Sequence, residues 1–230
     1  MKNQYRFFVD NEDTSQLRHQ IFNVLRLKPG DKISVIKDQK EFLCEITKEG
    51  YNILEEITLS REAPISLTLC LATLKKDKIE QVLQKATEVG VSSFIIFNGQ
   101  NSVKTFDNMS FNKCLPRYQK IIREACEQSG RIKEPTIEFI SLKEIDFDKY
   151  NNILISDLTG TPFQTVIKDR NSSYILVIGP EGGLSQEETD LLKQKGGLII
   201  SYGKRIMRSE TASVVISAGI INHFENFLPF

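Results

Sequence analysis

The sequence predicts an α/β protein: a parallel sheet with flanking helices, preceded by a smaller β-rich module. Three observations carry this prediction. From Ile65 onward, short apolar runs alternate with helical stretches, the pattern of a parallel sheet. Before Arg61–Pro64, apolar and polar residues alternate within runs separated by polar turns, the pattern of a half-buried antiparallel sheet. Two turns rich in glycine and charge stand at the carboxyl ends of late strands, where open α/β sheets bind ligands.

In the first module, Tyr5–Val9 reads as a strand, Ile21–Leu25 as a short helix and Pro29-Gly30-Asp31 as a turn. Lys32–Ile36 and Glu41–Ile46 form a hairpin across the polar stretch Lys37–Lys40, and Tyr51–Leu59 supplies a further strand. Beyond the change in texture, Ser66–Ala72 is a buried-type strand. Lys78–Glu88 follows as a helix with Ile79, Val82, Leu83 and Ala86 on one face. A strand at Val91–Phe97, a helix over Asn112–Ser129 and a weak strand at Thr136–Ile140 come next. Asn152–Ser156, Tyr174–Ile178 and Leu198–Tyr202 complete the sheet. The last helix is expected to gather Val214, Val215, Ala218 and Ile221 on one face.

Composition excludes several classes. Of 230 residues, 40% are hydrophobic and 26% charged, which rules out a disordered tail, a collagen-like repeat and a coiled-coil rod. No apolar run approaches the roughly 18 residues that a membrane helix requires. The first residues turn polar by Asp10, without the apolar stretch of a secretory signal, so the expected compartment is the cytoplasm. Thirty basic residues balance thirty acidic ones, against a nucleic-acid coat but not against a local basic patch. Lys113, Arg117, Lys120, Arg123, Arg131 and Lys133 form one such stretch, opposed only by Glu124 and Glu127. Cys44, Cys70, Cys114 and Cys126 contain no CxxC pair and read as buried thiols, while His19 and His223 lie far apart, so no metal site is expected.

The chemistry is expected at the two turns. In Ile178-Gly-Pro-Glu-Gly-Gly-Leu-Ser185, Gly179, Gly182 and Gly183 let backbone approach a ligand, and Ser185 with Glu188 has the spacing of a capping box. The order of glycines does not match a phosphate loop, and Glu181 would repel a pyrophosphate. In Ser201-Tyr-Gly-Lys-Arg-Ile-Met-Arg-Ser-Glu-Thr-Ala212, Lys204, Arg205 and Arg208 place three cations in five residues before a helix that Ser209 or Thr211 could cap.

Together, the segments Ile178–Ser185 and Gly203–Ala212 resemble the signature of the small-subunit ribosomal RNA uridine-N3 methyltransferases, the RsmE family of the SPOUT class. Val24–Asp31, Lys85–Val91 and Glu124–Arg131 resemble further family segments, five in order along nearly the whole chain. The resemblance implies a PUA-like β-barrel RNA-binding domain over residues 1–64. It implies a SPOUT α/β domain with a C-terminal trefoil knot over residues 65–230, acting as a homodimer. S-adenosyl-L-methionine would lie on Leu154, Ile155, Gly179, Pro180, Glu181, Gly182, Gly183, Tyr202, Gly203, Ile206, Met207, Thr211 and Ala212. The implied reaction is methylation of N3 of a uridine in 16S rRNA of the small ribosomal subunit. Arg208 would stabilise charge, and Glu210 would accept a proton or orient Arg208. Arg6, Arg26, Arg117, Arg123 and Arg131 are the expected RNA contacts, with neither metal nor membrane involved. Ser209 stands where the family has threonine, and Asn23 and either Asn101 or Gln100, depending on alignment, stand where it favours arginine, removing two contacts to RNA. The competing expectations are a SPOUT methyltransferase for another rRNA or tRNA nucleotide and a non-catalytic ribosome assembly factor.

Overall fold

A computed structural model of the chain describes residues 5–9 and 15–225. They fall into two compact units, Met1–Glu62 with Cys126–Lys133, and Ala63–Ala125 with Glu134–Phe230.

The first unit contains strand β1 (Arg6–Phe8), helix α1 (Ser15–Arg18) continuing into π-helical turns at His19–Val24, and strands β2 (Lys32–Lys37), β3 (Lys40–Ile46) and β4 (Tyr51–Ile57). Among the described residues these strands make one sheet in the order β1-β2-β3-β4, with β1 parallel to β2 and the rest antiparallel. The expected hairpin is present. Asp38 and Gln39 turn it with positive φ of 51° and 58°, the two-residue geometry whose twist suits paired strands. The short helix starts earlier than expected and is widened, since the Leu25 N–H donates to the Gln20 carbonyl five residues back. Phe7, Leu17, Ile21, Ile33, Val35, Cys44 and Ile46 form the core.

Two cations expected to meet RNA are instead committed inside this unit. The Arg6 guanidinium, 10% exposed, lies 2.9 Å from Glu41. Arg131 is 4% exposed and donates to Glu62 at 3.0 Å, while the other Glu62 oxygen accepts from the Ile132 and Lys133 amides at 2.8 and 3.0 Å. A basic stretch in sequence does not reveal carboxylates that fold onto it from far away. Removing one partner of a buried pair strands the other, so Glu62→Ala is expected to cost this unit about 3 kcal/mol, read as an earlier urea transition. Arg61→Ala, which loses a half-exposed cation 3.7 Å from Glu41, should cost under about 1 kcal/mol.

The second unit contains β5 (Ser66–Ala72), α2 (Lys76–Glu88), β6 (Ser93–Phe97), α3 (Asn108–Ser129), β7 (Thr136–Phe139), β8 (Asn152–Pro162), β9 (Ser173–Ile178), α4 (Gln186–Gln194), β10 (Leu198–Ser201) and α5 (Ser209–Glu225). The strands form a six-stranded parallel sheet in the order β10-β8-β9-β5-β6-β7. On α2, Ile79, Val82, Leu83 and Ala86 are buried as the periodicity predicts. Helix α3 begins four residues earlier than expected. Asp107 accepts from the Ser110 amide at 2.7 Å, and the Ser110 hydroxyl receives the Asp107 amide at 3.0 Å, closing its first turn. The Ser110 amide and the Ser110 hydroxyl, which also donates to Asp107 Oδ1 at 2.8 Å, hold the Asp107 carboxyl below the usual range.

Strand β8 outruns its expected end at Ser156. Its second half pairs with the end of β10, Thr161 against Ile200 and Pro162 against Ser201, after a break in register. Gly160 permits this crossing, since a Cβ there would stand 2.5 Å from the Ile200 carbonyl carbon. On α5 only Ile221 of the four expected core residues is buried. Val214, Val215 and Ala218 are only half-buried, whereas Ala212, Ser213, Ile216, Ser217, Ile220, Ile221 and Phe224 face the core. The helix is apolar on nearly every side and three of its buried residues, Ser209, Ser213 and Ser217, are serines, so hydropathy alone misplaced the buried stripe. Cys44, Cys70 and Cys126 are buried thiols, but Cys114 on α3 is half-exposed. Burial pushes the Cys44 thiol up to about 11.

Candidate functional site

Three adjacent strands, β10, β8 and β9, end at one cleft of about 610 Å³. Ile155 and Ser156 of β8, the β9–α4 turn from Ile178 to Leu184, and the β10–α5 turn from Tyr202 to Ser209 line it. The two turns singled out in the sequence thus share a cavity at the carboxyl edge of the sheet.

The β9–α4 turn is held from several sides. A Cβ on Gly179 would lie 2.7 Å from the Leu184 nitrogen and 3.0 Å from the Gly183 carbonyl carbon, so only glycine allows this close return of the chain. The Gly183 amide donates to the Pro180 carbonyl at 2.9 Å, and Gly183 takes a φ of 75°. The predicted capping box is present. The Ser185 hydroxyl accepts from the Glu188 amide at 3.1 Å, and the Glu188 carboxylate accepts from the Ser185 amide at 2.8 Å. The second Glu188 oxygen accepts from the Gln100 amide at 2.9 Å. Beside it, the Asn101 side chain donates to the Gly183 carbonyl at 3.1 Å. Asn101, read in the sequence as a lost arginine, therefore braces the glycine turn.

In the β10–α5 turn, Gly203 has a φ of 99°. The Tyr202 ring stacks on Phe163 with centroids 5.0 Å apart and packs directly against Gly219, leaving no room there for a side chain. Arg208 lines the cleft, and its carbonyl accepts the Ala212 amide at 2.8 Å, so Arg208 rather than Ser209 or Thr211 stands at the helix boundary. Lys204, Arg205 and Arg208 are exposed and have no carboxylate partner among the described residues. Ile206 is 85% exposed at the rim.

Ile155, Gly179, Pro180, Glu181, Gly183, Tyr202, Gly203, Ile206, Met207, Arg208 and Ala212 come together around the cleft. Leu154 does not line it; it is fully buried in the sheet, facing away from its neighbour Ile155. Gly182 lies at the exposed tip of its turn, and a Cβ there would stand 3.0 Å from that of Asn101. Thr211 is exposed on the first turn of α5, and Glu210 turns to Lys78 at 3.2 Å. Sequence reasoning missed Lys78, Leu184 and Lys193. Only the position of Lys78, just beyond the end of β5, could have marked it.

Of the proposed RNA contacts outside the cleft, Arg26 is exposed, with a φ of 55°. Arg117 and Arg123 are bound to Glu80 and Glu134 at 2.6 and 2.9 Å. No group of three or more His, Cys, Asp or Glu among the described residues is placed to hold a metal ion. No helix among them is long and apolar enough to cross a membrane.

Residues 61–221 match the RNA methyltransferase domain family, and residues 14–54 match its RNA methyltransferase PUA domain. The ribosomal RNA small subunit methyltransferase E of Bacillus subtilis is 33% identical, over 90% of this chain and 88% of its own. The corresponding enzyme designated E 2 of Borreliella burgdorferi is 30% identical, over 87% and 86%. A crystal structure of ribosomal RNA small subunit methyltransferase E from Neisseria gonorrhoeae bound to S-adenosyl methionine superposes with a TM-score of 0.82. It is 26% identical and covers 94% of this chain and 96% of that one. The second unit is accordingly a SPOUT-type α/β domain, the first carries a small PUA sheet, and the chain belongs to the RNA methyltransferase family that includes the ribosomal RNA small subunit methyltransferases E.

Proposed function

We propose that this protein is an S-adenosyl-L-methionine-dependent methyltransferase that methylates N3 of a specific uridine in 16S rRNA of the small ribosomal subunit. We read it as a cytoplasmic homodimer with a knotted catalytic domain over residues 65–230 and an RNA-binding module over residues 1–64. The observation that carries the reading is the meeting of the Gly179–Gly183 turn and the Gly203–Ala212 turn in one cleft. The residues present fit the cofactor. Ile155, Ile178, Leu184 and Met207 offer apolar walls for a purine, and the Gly179 cradle, which a Cβ would fill, leaves backbone open to ribose hydroxyls. Glu181 suits a cationic ligand, and the Neisseria gonorrhoeae relative is bound to S-adenosyl methionine. When bound, the cofactor supplies an electrophilic methyl group on a sulfonium and leaves as S-adenosylhomocysteine.

The chain's own task is to align the base and handle one proton. Uracil N3 carries a hydrogen and attacks well only as that hydrogen leaves, when negative charge spreads to O2 and O4. Arg208, exposed at the cleft and without a carboxylate partner among the described residues, stabilises that charge. The Glu210 carboxylate, turned to Lys78 at 3.2 Å and outside the cleft lining, serves by orienting the segment that carries Arg208, and the N3 proton passes to water. Arg26, Lys204 and Arg205 meet phosphates, and Arg117 joins them once its surface pair with Glu80 opens.

The test is calorimetric titration with S-adenosylmethionine, S-adenosylhomocysteine and ATP, followed by mapping of modified nucleotides in small subunits incubated with the enzyme. Saturable binding of the first two but not ATP, with N3-methyluridine appearing in 16S rRNA, is the expected result. A blank titration both with and without subunits would overturn it in favour of an assembly factor. Methylation at another nucleotide would correct the substrate alone.

A further inference from the structure

One lysine outside the cleft lining joins both of its turns. Lys78 Nζ lies 3.3 Å from Glu181 Oε1 and 3.2 Å from Glu210 Oε1. Glu181 belongs to the β9–α4 turn, and Glu210 follows Arg208 by two residues at the start of α5. The three groups come from segments 103 and 132 residues apart, and their side chains are only 19%, 34% and 15% exposed.

Helix energetics do not ask for a lysine at this position. Lys78 is the third residue of α2, where the helix dipole favours an acid, and the N-cap residue Lys75 makes no side-chain cap. The two carboxylates supply the missing reason. The hydrogen bond that Lys78 donates to Glu210 raises the Lys78 pKa, so the ammonium stays charged at neutral pH. Without it, two anions would face each other across the space it fills and push the turns apart.

We propose that Lys78 is the positioning residue of the site, an ionic latch that fixes the cofactor-side turn against the turn carrying Arg208. This rests on the reading of the cleft as the methyltransferase site. Lys78 itself does not line the cleft, so it acts through Glu181 and Glu210 on the alignment of the reactants.

Hydrogen exchange on the full chain tests the latch without any ligand. In Lys78→Met, amides of Gly182–Leu184 and of Ile206–Arg208 should exchange about tenfold faster, with the rest of the sheet unchanged. Lys78→Arg, which keeps the cation, should restore most of the protection. Glu181→Gln opens one arm only and should loosen Gly182–Leu184 alone. Lys85→Met, which breaks a surface pair with Glu88 on the same helix, should change neither turn. With cofactor and subunits, Lys78→Met should lower kcat more than it raises KM for the cofactor, again with recovery in Lys78→Arg. Unchanged exchange in Lys78→Met, or losses that arginine does not recover, would overturn the latch. Loosened turns in a protein that binds no S-adenosylmethionine would keep the latch and overturn the methyltransferase reading instead.

Discussion

Arg208→Ala is expected to lower the single-turnover rate of methyl transfer on saturating small subunits by about 10²–10³-fold, the cost of losing one preorganised charge stabiliser. Affinity for S-adenosylmethionine should stay within about twofold, because the guanidinium serves the base, where charge develops, rather than a cofactor without net negative charge. Three features support so large an effect. Arg208 lines the cleft, has no carboxylate partner among the described residues, and stands where β10 hands over to α5, so its backbone is fixed by the Ala212 amide. Arg208→Lys should recover only part of the rate, since an ammonium lacks the fixed planar donors of a guanidinium. The alanine variant should also gain more from rising pH than the parent does. Base that has already lost its N3 proton needs less help, and an equal pH response in both proteins would remove Arg208 from the chemical step.

Gly179→Val is expected to weaken S-adenosylmethionine binding by about 100-fold or more, since overpacking of this kind costs up to about 3 kcal/mol. The atoms that a side chain would strike, the Leu184 nitrogen and the Gly183 carbonyl carbon, are backbone, so no rotamer change gives relief. The turn must open, and opening it pulls on the capping box that starts α4. Gly196→Ala is the matching control. Gly196 has a φ of 87°, but a Cβ there meets nothing within 4 Å, so the change should cost about 1 kcal/mol of stability and leave affinity unaltered. Calorimetry on the two variants separates loss of a cradle from general backbone strain, and equal affinities would show that the turn is not the cofactor's cradle.

The features legible in the sequence were those written in local spacing. Ser185 and Glu188 announce a helix start because a capping box spans only four residues, and Ser66–Ala72 announces a buried strand by its unbroken apolar run. Both cleft turns were visible for the same reason, carried by eight and twelve consecutive residues. What the sequence did not disclose depends on distance along the chain. Nothing local says that Glu62 will bury Arg131, that Asn101 will brace Gly183, or that Lys78 will meet Glu181 and Glu210. Hydropathy passes over the inward Ser213 of α5, whose hydroxyl is satisfied on the Ser209 carbonyl at 2.8 Å, which makes that polar residue acceptable in the core. The extension of β8 to Pro162 escaped because it is a pairing choice made by β10, forty residues later.

The central position of β5 also bears on how the chain is made. Its partner on one side, β6, emerges soon after it, with Thr68 beside Ser93. Its partner on the other side, β9, pairs Ser66 with Ser173, 107 residues downstream. During translation at about 5–20 residues per second, the β9-facing edge of β5 therefore waits several seconds or more for its neighbour. An open apolar strand edge invites the wrong partner, so the nascent second unit depends on shielding until β9 arrives. An edge closed by so distant a pairing also makes folding slow compared with the rest of the chain.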